Sequence, residues 1–286
     1  MAITLGTNIT SLLAQRRLAE ATGRLSVSFE RLSSGSRINS AADDAAGLAL
    51  ADTLRSQARV GAVAIRNAND GISTVAIADS ALGEISNVLS RLAELAEQSA
   101  NGIYSTTQRS ALATEFVALG SEIERIAVVT EFNGVRLISG TSALTLQVGL
   151  NGASTSQIAF AGVQGTLQAL GLATNGSSVL LYSITGATSF DGQTASRLAL
   201  EAINGAITSL SAARGSLGAV ESRLNVAVST LTATRESLLA AESRIRDVDV
   251  ASEAAELARL NILQQASAAI LAQANQQPSL VLNLLG

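Results

Sequence analysis

Residues 203–245 run INGAITSLSAARGSLGAVESRLNVAVSTLTATRESLLAAESRI, with an apolar residue at every seventh position: Ile203, Leu210, Leu217, Leu224, Leu231, Leu238 and Ile245. Three residues after each rung, as far as position 241, comes a mostly smaller companion: Ala206, Ala213, Val220, Ala227, Thr234 and Ala241. A strict seven-residue repeat keeps one stripe of a helix turned toward a partner helix and gives a left-handed supercoil. The small companions let the partner's backbone come close. At 1.5 Å per residue the run is about 65 Å long, far beyond an ordinary globular helix. A stripe of that length cannot bury itself, so the fold turns on what pairs with it.

Two partners of matching period lie upstream. Val75, Ala78, Leu82, Ile85, Leu89, Leu92 and Ala96 recur in steps of three and four, ending near Asn101-Gly102, a pair suited to a left-handed helix cap. Leu112, Phe116, Leu119, Ile123 and Ile126 repeat the rhythm until Phe132-Asn133-Gly134 stops it. Residues 1–35 carry a narrower stripe, with Leu5, Ile9 and Leu12 followed by Leu18, Leu25 and Leu32 at intervals of seven and Phe29 filling the next turn. Ser33-Ser34-Gly35-Ser36 breaks that helix, and Ser40 to Asp44 supply caps and first-turn acids for the next. Beyond Asp247–Asp249, where the pattern weakens, Leu257, Leu260, Leu263, Ile270 and Leu271 continue an apolar stripe into a tail holding Leu282, Leu284 and Leu285.

The middle differs in kind. Between Gly140 and Gly192 the only charged side chain is Asp191. Leu144 to Leu150 alternates as a half-buried strand does, Asn151-Gly152 is a turn signal, and Ile158 and Phe160 stand two apart. Val179 to Ile184 is a further strand candidate. The expected fold is therefore mainly α: a long antiparallel helical bundle with paired N- and C-terminal helices and a small β-hairpin region in mid-chain. Three parts are expected: residues 1–43 with 247–286, residues 44–142 with 193–246, and residues 143–192 as a small β-region without a separate outer domain. The span from about 155 to 190 is expected to lie outside the helical seams. Leu5, Ile9, Leu12, Leu18, Leu25, Phe29, Leu32, Leu257, Leu260, Leu263, Ile270, Leu271, Leu282, Leu284 and Leu285 have no third element to cover them in one chain. They are expected to form self-assembly surfaces.

Composition excludes much else. Among 286 residues there is no Cys, His or Lys, and all 19 basic residues are Arg. The usual general base, thiolate or imidazole metal ligand, Schiff-base amine and P-loop lysine are all missing, so no enzyme, metal or cofactor site is expected. A net charge of −4 with scattered Arg offers no stripe for nucleic acid, and no apolar run approaches the ~20 residues of a membrane span. The N-terminus lacks the charged and apolar regions of a cleavable secretory signal.

Several blocks resemble the bacterial flagellins: Arg31 to Gly35, Arg37 to Ala41, Asp43 to Leu48, Arg66 to Ser73, Phe132-Asn133-Gly134 with Leu146 to Gly149, Ser243 to Ile245, Ile262 to Ala266, and Leu271 to Gln276. They cover roughly residues 1–150 and 195–286, in order. The resemblance implies a secreted structural protein that polymerises into the extracellular flagellar filament for motility. Its terminal segments would form the inner coiled-coil layer and the heptad bundle the next layer out. Type III export through an uncleaved signal is implied too, as are an export chaperone and contacts with the filament cap and hook–filament junction proteins. A junction protein with similar termini, or a secreted adhesin or receptor-binding filament, is the alternative; Asn67–Ser73 and Leu271–Gln276 favour flagellin. Flagellins of the gut-bacterial type bind a host innate immune receptor, and the matching positions here are Arg91, Leu95 and Glu115, with Glu94 nearby. The pattern around them departs, with Ala93 where an Arg is expected and Glu97 where an apolar residue is expected.

Overall fold

Five helices carry most of the chain: α1 (Ile9–Ser34), α2 (Ala45–Ala100), α3 (Thr106–Val129), α4 (Ser189–Arg246) and α5 (Val250–Leu285). The structure, a computed structural model, describes residues 7–140, 143–160 and 162–285, with side chains over the same residues except 189 and 277–285. Contacts divide the chain into two units, residues 1–58 with 236–286 and residues 59–235.

The 59–235 unit is built on the heptads. Val75, Ala78, Leu82, Ile85, Leu89, Leu92 and Ala96 of α2 are all fully buried. Ile203, Leu210, Leu217, Leu224 and Leu231 of α4 are buried with them, as are Ala206 and Val220. Phe116 and Ile123 of α3 join the same cluster. Each buried Leu or Ile contributes roughly 1.5–3 kcal/mol relative to exposure, so this cluster dominates the unit. The helix α3 opens with a capping box: Ser105 Oγ accepts from Gln108 N, and Gln108 Oε1 accepts from Ser105 N at 2.9 Å.

Two hairpins follow. The strands β1 (Glu131–Phe132) and β2 (Val135–Arg136) turn through Asn133 and Gly134, both at positive φ. That is the backbone a two-residue hairpin needs, so the Asn-Gly pair does more than stop a helix. The strands β3 (Leu144–Gln147) and β4 (Gln157–Phe160) pair antiparallel, Leu144 opposite Phe160 and Gln147 opposite Gln157.

Val179 to Ile184 is not a strand. Leu181 N donates to Leu172 O and Val179 N to Ser177 Oγ, and among the described residues no strand pairs with this segment. Leu180 lies over Gly120, leaving no room for a side chain there. The expectation that residues 155–190 stand outside the helical seams is also corrected. Ile158, Phe160, Val163, Leu167, Leu170, Leu172 and Ile184 belong to the same buried cluster as the helices. Leu167 N donates to Glu124 Oε2 on α3 at 3.1 Å.

The helices α2 and α4 are also tied by a two-pronged ion pair, Arg214 Nε and Nη2 to the Asp79 carboxylate at 2.8 and 3.1 Å. The Arg214 hydrogen bond, with the guanidinium charge, holds the Asp79 carboxyl below the ordinary 3.8. A carboxyl depressed on folding stabilises above its unfolded pKa, and loses that contribution as pH falls through the folded value. Asp79→Asn is thus expected to lower the melting temperature at pH 7 by only 1–2 °C, on the order of 0.5 kcal/mol for a half-exposed pair. That gap should narrow as pH falls below 3.8 and close once the folded carboxyl is protonated. An equal gap at pH 7 and pH 2, measured by circular dichroism, contradicts this.

Candidate assembly surface

The other unit brings the two ends of the chain together. α1 begins at Asn8, whose side chain accepts from Ser11 N at 3.0 Å and donates to Ala274 O at 2.8 Å. Ser11 Oγ donates to Asn275 Oδ1 at 2.7 Å, and Gln264 Nε2 to Thr22 Oγ1 at 3.2 Å. α1 and α5 therefore run antiparallel and pack along their length. Gly35 closes α1 at φ +70, the left-handed cap that glycine takes without strain. The chain then pairs with the α4–α5 junction: Arg37 N donates to Arg246 O at 2.6 Å, and Val248 N to Gly35 O at 3.1 Å. Asp249 caps α5 by accepting from Ala251 N and Ser252 N. Asp43 accepts from Asn39 N and Ser40 N, and these bonds hold its carboxyl below the usual range. Arg55–Glu242 and Arg246–Asp52 pair the start of α2 with the end of α4.

The seam between α1 and α5 has a definite rhythm. On α1 it is Ser11, Ala14, Leu18, Ala21, Leu25, Ser28 and Leu32, in steps of three and four; the small members are buried and the leucines half-buried. On α5 it is Glu253, Leu257, Leu260, Gln264, Ser267, Leu271 and Ala274, in the same steps, with Leu260 and Ala274 buried. Alanine and serine alternate with leucine on α1, and the small side chains let two backbones approach.

This rhythm divides the expected assembly residues. Leu18, Leu25, Leu32, Leu257, Leu260 and Leu271 fall on the intrachain seam, and Leu260 is only 2% exposed. The two terminal stripes bury against each other, as the expected pairing of the chain ends requires. Ile9, Leu12, Phe29, Leu263 and Ile270 break the rhythm and remain exposed, Ile9 at 61% and Ile270 at 60%. Leu5 lies outside the described residues, and the side chains of Leu282, Leu284 and Leu285 are likewise outside them. Three further apolar residues, Leu13, Val27 and Ile262, are exposed in the same way, Ile262 at 67%. Their signal in the sequence is an apolar side chain that misses the three–four spacing.

The Arg91 group sits in the 59–235 unit. Arg91 Nε donates to Glu115 at 2.9 Å and Nη1 to Glu94 at 2.8 Å. These two carboxylates raise the guanidinium pKa further. Arg91 and Glu115 are exposed, whereas Leu95 is fully buried and presents nothing to a partner. A hollow of about 640 Å³ nearby is lined by Glu94, Glu97, Gln98, Tyr104 and Arg197 among others. Among the described residues no group of three acids could hold a metal, and no helix is long and apolar enough to cross a membrane.

Residues 5–143 match the bacterial flagellin N-terminal helical region, and residues 200–285 the bacterial flagellin C-terminal helical region. The chain is 41% identical to a flagellin of Halalkalibacterium halodurans, over 97% of this chain and 98% of that protein. It is 40% identical to a flagellin of Bacillus subtilis with the same coverage. A crystal structure of Bacillus cereus flagellin overlaps 58% of this chain and 88% of its own, with a TM-score of 0.48 at 25% identity.

Proposed function

The chain belongs to the bacterial flagellin family and is a structural subunit of the extracellular flagellar filament; from that premise we propose which residues join one copy to the next. The inter-subunit surface of the terminal unit is the off-rhythm set: Ile9, Leu12, Leu13, Val27, Phe29, Ile262, Leu263 and Ile270. The observation that supports this is their exposure on helices whose on-rhythm residues are already occupied within the chain. Residues 1–43 with 247–286 form the inner filament layer, residues 44–142 with 193–246 the next layer, and residues 143–192 its outer attachment. Export through the type III route, escorted by a chaperone, precedes assembly beneath the filament cap on hook–filament junction proteins. A host innate immune receptor would meet Arg91 and Glu115 directly, with Leu95 acting only by fixing their helix. The protein is structural rather than catalytic.

The test separates the two sets of terminal residues. Ile262→Asp is expected to raise the concentration needed for polymerisation at least tenfold, because roughly 1.5–3 kcal/mol of inter-subunit burial is lost. Its monomer should melt within about 2 °C of the parent, since surface changes away from special features cost little. Leu260→Asp should instead unpair α1 from α5 in the monomer, seen as lost helicity. Filaments from Ile262→Asp at the parent concentration would overturn the assignment.

A further inference from the structure

Oxidants find little to attack in this chain, which has no Cys, His or Trp and a single Met. Its most reactive feature is a dipeptide. Asn-Gly occurs five times, at Asn101, Asn133, Asn151, Asn175 and Asn204, and all five asparagines are exposed. Glycine has no β-carbon to crowd the approach, so its backbone nitrogen can reach the carboxamide of the asparagine before it. Most of these sites are held against that reaction. Gly205 N lies inside α4 and is committed to the helix ladder. Gln168 clamps both reacting groups at Asn175: its Nε2 donates to Asn175 Oδ1 at 2.9 Å, and its Oε1 accepts from Gly176 N at 3.2 Å. Asn151 Oδ1 accepts from Ala153 N at 3.3 Å and from Ser156 Oγ. Asn101 Oδ1 accepts from Ile103 N at 3.2 Å, and Arg109 holds the Asn101 carbonyl. Asn133 differs: among the described residues neither its side chain nor Gly134 N has a hydrogen-bond partner.

We propose that Asn133-Gly134 is a site of spontaneous deamidation, with water as the only co-reactant. Gly134 N attacks Asn133 Cγ and the new N–Cγ bond closes an imide ring. The Cγ–Nδ2 bond breaks, and that nitrogen leaves as ammonia with the proton given up by Gly134. Water then opens the ring at either carbonyl, leaving an aspartyl residue or its isoaspartyl isomer, whose main chain runs through the side-chain carbon. The hairpin turn, with Asn133 at φ +51 and Gly134 at φ +76, holds the attacking nitrogen away from the carboxamide, so the turn must open first. Little resists that opening. β1 and β2 have two residues each, all of them exposed, and a short two-stranded hairpin is marginal in water. The opening stays local, because Leu137 N donates to Thr130 O at the base of the hairpin and Leu137 and Ile138 are buried beyond it. An isoaspartyl residue adds a carbon to the main chain of a turn built for two residues, so the β1–β2 register cannot re-form. Either product adds a negative charge close to Glu131. The hairpin thereby records the age of the chain.

Peptide mapping of the full-length chain after incubation at mildly alkaline pH, with and without denaturing urea, tests the proposal. Unfolded, the five sites are expected to react at similar rates, since each asparagine is followed by glycine. Folded, Asn133 should lead every other site by about tenfold or more, because elsewhere hydrogen bonds must break before the ring can close. A second arm uses Gln168→Ala, with circular dichroism to check that the parental helicity is kept. It frees both Asn175 Oδ1 and Gly176 N, so deamidation at Asn175 should rise about tenfold while the rate at Asn133 stays unchanged. Reaction at any other Asn-Gly ahead of Asn133 in the folded chain overturns the proposal. So does a folded chain that stays intact at all five sites while the unfolded chain reacts. A Gln168→Ala chain in which Asn175 reacts no faster than in the parent removes hydrogen bonding as the selector, and overturns it as well.

Discussion

A chain ending at residue 249 is expected to form no filaments at any accessible concentration, while its 59–235 unit remains folded. Two losses act together. The exposed Ile262, Leu263 and Ile270 disappear, and with them much of the proposed inter-subunit surface. The seam partner of α1 goes as well, leaving Leu18, Leu25 and Leu32 uncovered. An unpartnered helix of 26 residues with Ser and Ala on its seam has little to stabilise it in water. Helicity should therefore fall by more than the 36 residues of α5, because α1 melts with it. The buried cluster of α2, α3 and α4 lies within residues 68–224, so its cooperative melting should shift by only a few degrees. Electron microscopy and sedimentation check the first expectation, circular dichroism the second. Normal filaments from the truncated chain would refute the division of labour.

That division was partly legible in the sequence. The Ile203–Ile245 and Val75–Ala96 series announced the bundle because a strict period has one structural solution, and the residues between Val75 and Ala96 in that series are all fully buried. The pairing of the N- and C-terminal helices was expected, but not which residues it consumes, since nearly half of the α1–α5 seam is Ala and Ser, which carry no hydrophobic signal. Leucines on that seam consequently passed for assembly residues, and rhythm-breakers such as Ile262 escaped notice. The mid-chain segment was misjudged for a related reason. Leu167, Leu170, Leu172 and Ile184 bury their side chains from irregular backbone, where no period marks them. Val179–Ile184 had the composition of a strand and no partner to pair with.

The largest effect from a single side chain is expected at Arg109, which no periodicity flagged. It is 1% exposed and pairs with no carboxylate among the described residues; its fork donates to three backbone carbonyls, those of Ser99, Asn101 at 2.9 Å and Tyr104 at 3.3 Å. Those carbonyls lie at and just beyond the C-terminal end of α2, where helical C=O groups lack intrahelical donors and the helix dipole is negative. A guanidinium supplies both the donors and the compensating charge. The same place ties in α4: Ser196 Oγ donates to Gly192 O at 2.7 Å and lies 3.0 Å from Ser99 Oγ, which donates to Ile184 O at 2.9 Å. Gly192 sits so close that a β-carbon there would stand 3.0 Å from Arg109 Cδ. Arg109→Met keeps much of the packing but strands the carbonyls, a loss of about 4–5 kcal/mol at the lower end of 1.5–3 kcal/mol for each of three charged hydrogen bonds. For a unit of this size the melting temperature should drop by roughly 10 °C. Arg109→Lys keeps the charge without the fork, so about half the loss is expected. Hydrogen exchange should localise the opening to 99–109 and 184–196. If Met and Lys destabilise equally, packing rather than carbonyl capping is what Arg109 supplies. If Met melts within 2 °C of the parent, the buried charge holds nothing together, and closure of this end falls to Ser99 and Ser196 alone.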